Sequence, residues 1–376
     1  MERHQAGVLE TALATKLATV QANMSETLPG TPSLAVGLSG GPDSSALAIC
    51  LDQWCRRHPD KHSNHSNHPN RPDSQPHNPE LYLFHVHHGL SDLADEWQAR
   101  AQALADLLER PLMVRRINVE LDSGLGVEAA ARQGRRQALI EMAHEHHVPV
   151  VALGHHQHDQ AETVLMRLFR GSGIDGLAAM AAITHDRGVC WVRPWLEVSR
   201  QTILEYIDSF SQRTGWLPVQ DPSNVDSRLA RGTLRTEVIP AIESHWPAWR
   251  TTLARHAGQA AQVSAVLKRY GQRLLKELAC DPQSTDHHPD SLDPADSAPV
   301  LSLAKWRELQ ADEQALVIRV WLDQGGMQMP TEKRLNELLR QLRQVHALGH
   351  DRALTWKQRD GEICCVRGQL HLRATL

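Results

Sequence analysis

Leu34-Ala35-Val36-Gly37-Leu38 runs into Ser39-Gly40-Gly41-Pro42-Asp43-Ser44-Ser45 and then into a helix-like stretch over 46–54. Strand, glycine turn and helix in that order constrain both fold and ligand. Such a turn aims free backbone N–H groups at whatever sits at the helix N-terminus, where the helix dipole favours an anion. Glycine lets the backbone approach a phosphate closely. Ser39, Ser44 and Ser45 add hydroxyl donors, and Asp43 is a carboxylate able to hold a metal bound to phosphates. The loop has no Gly-Lys-Ser/Thr and is not GxGxxG, so it is neither a Walker loop nor a dinucleotide fingerprint. An ordinary glycine-rich strand–helix turn is the bland alternative.

Around this loop, apolar runs at 34–38, 81–86, 112–119, 149–153 and 190–193 alternate with helical patterns near 43–56, 92–108, 127–147 and 157–170. The alternation predicts an α/β fold with a parallel sheet covered on both faces. Residues 1–30 read as a helix preceding it, with Val8, Leu9, Leu13, Leu17 and Val20 on the apolar side. Residues 58–79 interrupt the pattern with His, Asn, Pro and Ser. Their histidines have a metal reading, but a solvated insertion is the simpler one.

After about 215 the strands stop. A polar, Arg-containing connector leads into a helical pattern over 236–279, and 281–299 holds five aspartates and four prolines, a linker composition. Residues 300–376 read as helices near 303–323 and 331–345 followed by two short strand-like runs. The expected organisation is 1–215, a helical connector 216–280, the linker, and a smaller, mainly helical domain 300–376.

Composition excludes several classes. The net charge is −4 over 376 residues, so a nucleic-acid surface must be local; residues 332–376 carry nine Lys/Arg against five Asp/Glu. No apolar leader and no 18-residue apolar run occurs, which predicts a cytoplasmic rather than a secreted or membrane protein. The six cysteines form no CxxC pair and read as reduced thiols, not as an iron–sulfur or zinc site.

Three further clusters carry chemistry. In Leu153-Gly154-His155-His156-Gln157-His158-Asp159-Gln160-Ala161-Glu162 a strand end runs into a helix. Asp159 and Glu162 share a helical face at the sheet's ligand edge, a pair suited to a cationic amino group. An acidic first turn stabilised by the dipole is the bland alternative. Arg132 and either Arg135 or Arg136 share a face and suit a carboxylate or phosphate, or are solvated surface arginines. Arg228, Arg231 and Arg235 follow Asp221-Pro222-Ser223-Asn224 at helical spacing, as phosphate contacts would. The glycine loop Arg170-Gly171-Ser172-Gly173 has the composition of a segment that closes over a substrate.

The loop at 39–45 resembles the SGGxDS signature of PP-loop ATP pyrophosphatases. The ordered set SGGPDSSAL (39–47), HVHHGLS (85–91), EAAARQGR (128–135), LGHHQHDQAETVLMRLFRGSGIDGL (153–177), RPWLEVSR (193–200) and DPSN (221–224) resembles the tRNA(Ile)-lysidine synthetase family. The resemblance covers about 34–240 and continues more weakly over 300–372. The family often has Arg-Asn where this chain has Arg231-Gly232, and its longer members carry a second C-terminal domain for which this chain has no room.

The resemblance implies an adenine nucleotide α hydrolase-like fold and a ligase. ATP would adenylate the wobble cytidine of a CAU-anticodon tRNA(Ile), and L-lysine would displace AMP to form lysidine, with pyrophosphate as the other product. Ser39, Gly40, Gly41, Pro42, Asp43 and Ser44 would hold ATP, and Asp43 would hold Mg²⁺ or orient the α-phosphate. Asp159 and Glu162 would take the lysine cation, and Arg132 or Arg135 a phosphate or carboxylate. His155, Arg231 and Arg235 would join the lysine and tRNA contacts, and 300–376 would bind tRNA. A homodimer is left open. A PP-loop thiolase would need the cysteine pair this chain lacks, and a non-catalytic tRNA- or nucleotide-binding module would not need the carboxylates.

Overall fold

The computed structural model describes residues 2–24, 33–58, 80–89, 91, 93–118, 127–220, 230–280, 298–345, 354–358 and 360–374. The histidine-rich stretch, the DPSN segment with Arg228, and nearly all of the acidic linker lie outside them. The chain divides into two compact units, 1–261 and 262–376.

The first unit is built on a six-stranded sheet. Its strands are β1 (Leu34–Gly37), β2 (Leu81–His87), β3 (Leu112–Arg116), β4 (Val150–Ala152), β5 (Ile183–Asp186) and β6 (Val189–Val192), in the order β3-β2-β1-β4-β6-β5. β1 pairs in parallel with β2 and β4, β2 with β3, and β4 with β6. Only β5 is antiparallel; it hairpins onto β6 through Arg187 and Gly188, both at positive φ. The sequence pattern missed β5 because it is a half-exposed edge strand with little apolar content.

Both faces are covered. Helices α1 (Glu2–Met24), α2 (Pro42–Arg57), α3 (Ala94–Leu108) and α7 (Arg200–Thr214) share one core, with Leu9, Leu13, Leu47, Leu51, Leu104, Ile203 and Ile207 buried against Val36, Leu83 and Trp195. On the opposite face α4 (Val127–Glu145) buries Ala138, Leu139 and Met142 against Phe84, Val151 and Trp191. α1 covers Glu2–Met24, and residues 25–30 of the expected helix lie outside the described residues. α7 was not read from the pattern, although its signals are ordinary: the Ser199 hydroxyl caps Thr202 N–H and Gly215 closes the helix at φ +74°.

α5 (Gln157–Phe169) leaves the sheet and packs elsewhere. Its Ala161 and Leu165 form a separate cluster with Leu234, Ile239 and Trp249. After α8 (Ala230–Thr233), these come from a π-helical turn Leu234–Val238, α9 (Ile239–His245) and the start of α10 (Trp249–Leu278). Pro240, at the start of α9, lacks the N–H of a regular ladder and lies just after the π-turn. The short α6 (Ile174–Leu177) follows α5 in the 170–177 glycine loop, which is tied down. Arg167 Nη1 donates to the carbonyls of Gly176 and Ala179, both at 2.8 Å, and Gln160 exchanges two hydrogen bonds with the backbone of Met180.

The second unit has helices α11 (Leu303–Glu308), α12 (Ala311–Gln324) and α13 (Glu332–Gln344) and a four-stranded antiparallel sheet, β7-β10-β9-β8. Strands β7 (Leu301–Ser302), β8 (Leu354–Gln358), β9 (Gly361–Val366) and β10 (Gln369–Ala374) exceed the two strand-like runs expected. Trp306, Trp321, Leu335, Leu339, Ile363 and Leu370 form its core. No helix among the described residues is long and apolar enough to cross a membrane.

Candidate active site

The loop after β1 and the start of α5 after β4 converge at the carboxyl ends of adjacent parallel strands, where open α/β sheets hold ligands. Gly41 caps α2 in an extended conformation and Pro42 occupies its first turn, so the helix begins without a side-chain cap. Gly40 needs its φ of +85°, and its carbonyl accepts from Val219 N–H at 2.9 Å. Ser44 Oγ accepts from Ser39 N–H at 3.1 Å and meets Ser39 Oγ at 3.0 Å. The loop is therefore shaped by its own serines, with Asp43 in the first turn of α2.

Gly154 sets how closely the two segments approach. A Cβ there would meet the Asp43 carbonyl oxygen at 2.8 Å and the Ser44 nitrogen at 3.0 Å. Only a residue without a side chain lets β4 run this close to the nucleotide-type loop.

His156 follows, and it is the N-cap of α5. Its Nδ1 accepts from His158 N–H at 3.2 Å and Asp159 N–H at 3.5 Å, while Asp159 Oδ2 accepts from His156 N–H at 3.1 Å. This is a capping box with imidazole in place of a hydroxyl. The other ring nitrogen, Nε2, lies 3.5 Å from Asp43 Oδ1 and 3.5 Å from Asp159 Oδ2. Burial pulls the His156 pKa down, but the two carboxylates outweigh it and the value lies above that of ordinary imidazole.

Each expected site residue has a place. His155 has a buried Nδ1 without a hydrogen-bond partner, and burial lowers its pKa to about 4. Burial opposes ionisation of Asp159, but His156 and His155 beside it win and its carboxyl pKa is lowered. Glu162 is buried, and Arg235 grips both its oxygens, Nε to Oε1 at 2.7 Å and Nη2 to Oε2 at 2.9 Å. Arg235 also stands 3.8 Å from Asp159 Oδ1. Glu162 is thus already paired within the protein, which the helical spacing did not reveal. Arg231 Nη2 donates to Thr163 Oγ1 at 3.2 Å.

Arg132 and Arg135 are exposed on α4. Arg132 is felt electrostatically at His155 and Arg193, and Arg135 at His85. Arg136, the alternative partner of Arg132, is spent structurally: Nε donates to Asp186 at 2.8 Å and its guanidinium lies over Trp191. Serving the loop from β2, His85 Nδ1 bonds the Leu38 carbonyl at 2.9 Å.

Four contributors escaped the sequence reading: Gly154, His156, Arg193 and Arg200. Arg200 Nε lies 3.7 Å from Asp43 Oδ1, at the first position of α7. Arg193 is buried, donates to Ala181 O at 2.9 Å, and has its pKa lowered to about 10 by burial. Both lie in the RPWLEVSR stretch, whose charge spacing alone carried no assignment.

Asp43 Oδ1 is buried and accepts no hydrogen bond. With a free acceptor site, that oxygen fits a divalent cation, which would share it with His156 Nε2 and Arg200 Nε at 3.5 and 3.7 Å. No group of three or more His, Cys, Asp or Glu side chains among the described residues surrounds a common point, so such a cation would take its remaining ligands from phosphate and water.

Comparison with known proteins gives the family. Residues 9–242 match the PP-loop domain family, and residues 301–371 match the TilS substrate binding domain. A tRNA(Ile)-lysidine synthase of Bordetella bronchiseptica is 42% identical over 342 residues, covering 91% of this chain and 90% of that protein. The protein of the same name from Ralstonia nicotianae is 35% identical over 320 residues, covering 85% of this chain and 61% of its own.

Proposed function

Because the chain belongs to the tRNA(Ile)-lysidine synthase family, we propose that it uses ATP to join L-lysine to the wobble cytidine of a CAU-anticodon tRNA(Ile). The C2 oxygen of the cytidine attacks the α-phosphorus and pyrophosphate leaves. The ε-amine of lysine then attacks C2, the C2–O bond breaks, AMP leaves, and the amine loses a proton. The observation that carries this reading is the close approach of loop 39–45 to the acidic start of α5, enforced at Gly154.

The placement supports the following roles. Backbone N–H groups at the start of α2, with Ser39 and Ser44, face the pyrophosphate portion of ATP. Asp43 would hold Mg²⁺, which when bound neutralises phosphate charge. Asp159 and Glu162 receive the lysine ammonium, entering at Asp159 and joining the existing Glu162–Arg235 pair. Arg132 and Arg135, exposed on α4, meet phosphate or the lysine carboxylate. Arg231 belongs to the same arginine-bearing segment and contacts the tRNA backbone. The region matched to the TilS substrate binding domain contributes tRNA contacts from the second unit.

The test is incubation with ATP, labelled lysine and a CAU-anticodon tRNA(Ile) transcript. The expected result is label on RNA with stoichiometric AMP and pyrophosphate. ATP-dependent labelling that ignores the tRNA, or none at all, refutes the reading.

A further inference from the structure

His156 touches both halves of the site. Because Nδ1 accepts from two backbone N–H groups, the ring proton sits on Nε2. Nε2 lies 3.5 Å from Asp43 Oδ1 in the nucleotide-type loop and 3.5 Å from Asp159 Oδ2 in the α5 turn. The side chain is only 4% exposed, so water does not substitute for it. Its backbone is fixed from the other side, where His156 bridges Trp195 and Gln157 N–H donates to Val198 O at 3.0 Å. Asp159 Oδ2 is held independently by His156 N–H. Asp43 Oδ1 has no such anchor; its other cationic neighbour is the half-exposed Arg200 at 3.7 Å.

We propose that His156 is a positioning residue that ties Asp43 to Asp159, so that the ATP loop and the lysine subsite share one geometry. This rests on the function proposed above, and it adds a link between the two half-reactions. A capping histidine at the start of α5 needs only Nδ1, whereas the link needs Nε2–H.

Two substitutions separate these roles. His156→Asn keeps an acceptor at the position of Nδ1, where Asn is a strong N-cap, and removes the reach to Asp43. His156→Gln weakens the cap but extends an amide N–H to the position of Nε2. Three quantities are read: thermal unfolding, pyrophosphate release with ATP and tRNA in the absence of lysine, and lysine KM in the complete reaction. The Asn variant should melt close to wild type. Its pyrophosphate release should fall about three- to tenfold, the scale of a weak ion-pair contact at 3.5 Å, and its lysine KM should rise alongside. The Gln variant should regain part of both while melting lower.

Wild-type values for the Asn variant in both half-reactions overturn the proposal and leave His156 as a cap. Equal impairment of the two folded variants also overturns it. Should the Asn variant fail to fold, the Gln variant decides alone: retained activity supports the link and lost activity refutes it. A wild-type protein that puts no lysine on tRNA refutes the functional reading, and this proposal with it. An active wild type with an unaffected Asn variant refutes only the role of His156.

Discussion

The Glu162–Arg235 pair is the most exposed point of the energetic argument. Removing Arg235 leaves a carboxylate whose side chain is 6% exposed without its two hydrogen bonds at 2.7 and 2.9 Å. Breaking a fully buried pair from one side costs about 3–5 kcal/mol. The Arg235 side chain is 30% exposed, so water partly relieves the loss, and Arg235→Met should destabilise by about 2–3 kcal/mol. The same change also strips the cation 3.8 Å from Asp159, leaving two carboxylates one turn apart. Glu162→Gln should cost only about 1 kcal/mol, because a neutral amide still offers an acceptor. With both changes the buried charge is gone, and the double variant should recover a coupling of about 1.5–2 kcal/mol. The cycle is measured by urea unfolding followed by tryptophan fluorescence, at constant m-value. A coupling below about 0.5 kcal/mol, the level of an exposed pair, would falsify the assignment of Glu162 as an internally paired group.

Other outcomes follow from single contacts. Gly154→Ala forces a Cβ to 2.8 Å from the Asp43 carbonyl; it should cost about 1–3 kcal/mol and weaken ATP binding, both read by thermal shift with and without nucleotide. Asp43→Asn should abolish pyrophosphate release with little change in melting temperature, and near-normal release in that variant removes Asp43 from the required set. Folding lowers the His155 pKa from 6.5 to about 4, so the unfolded chain binds that proton more readily. Stability should therefore be full above about 6.5 and decline as pH falls toward about 4; a His155→Gln variant should show a shallower decline in acid unfolding curves. Asp159→Asn should weaken lysine binding by roughly 1.5–3 kcal/mol while affecting the adenylation step less, since that step precedes lysine attack. Unchanged dependence on lysine concentration would place the subsite elsewhere.

What could be read from sequence was whatever repeats along it. The five parallel strands and the helices α1 to α4 announce themselves by period and burial. β5 does not, because a half-exposed antiparallel edge needs no apolar run. α7 is legible by the same rules: Ile203, Tyr206, Ile207 and Phe210 fall at i, i+3, i+4 and i+7 between a Ser199 cap and Gly215. At the site, the loop at 39–45 and the carboxylates of α5 were visible because glycine turns and helical spacing are local signals. The close approach at Gly154 was not, because the atoms it meets belong to a segment more than a hundred residues away.

Charge balance explains why the groups around these carboxylates are cationic. A site that gathers Asp43, Asp159 and Glu162 at one edge of a sheet must satisfy them before any substrate arrives, since unpaired buried carboxylates are costly. The fold supplies His156 between two of them, Arg200 beside Asp43, and Arg235 on Glu162. These partners come from the α5 cap, the start of α7 and a π-turn, three places with no sequence relation to one another. A cationic substrate entering here meets an already neutralised network. Its binding energy is then the difference between its own contacts and those it displaces, so lysine affinity should respond to Arg235 as strongly as to the carboxylates themselves. Arg235→Gln therefore lowers lysine KM if the arginine competes with the ammonium, and raises it if the arginine only orients Glu162. The sign of that change, measured with saturating ATP and tRNA, separates competition from support.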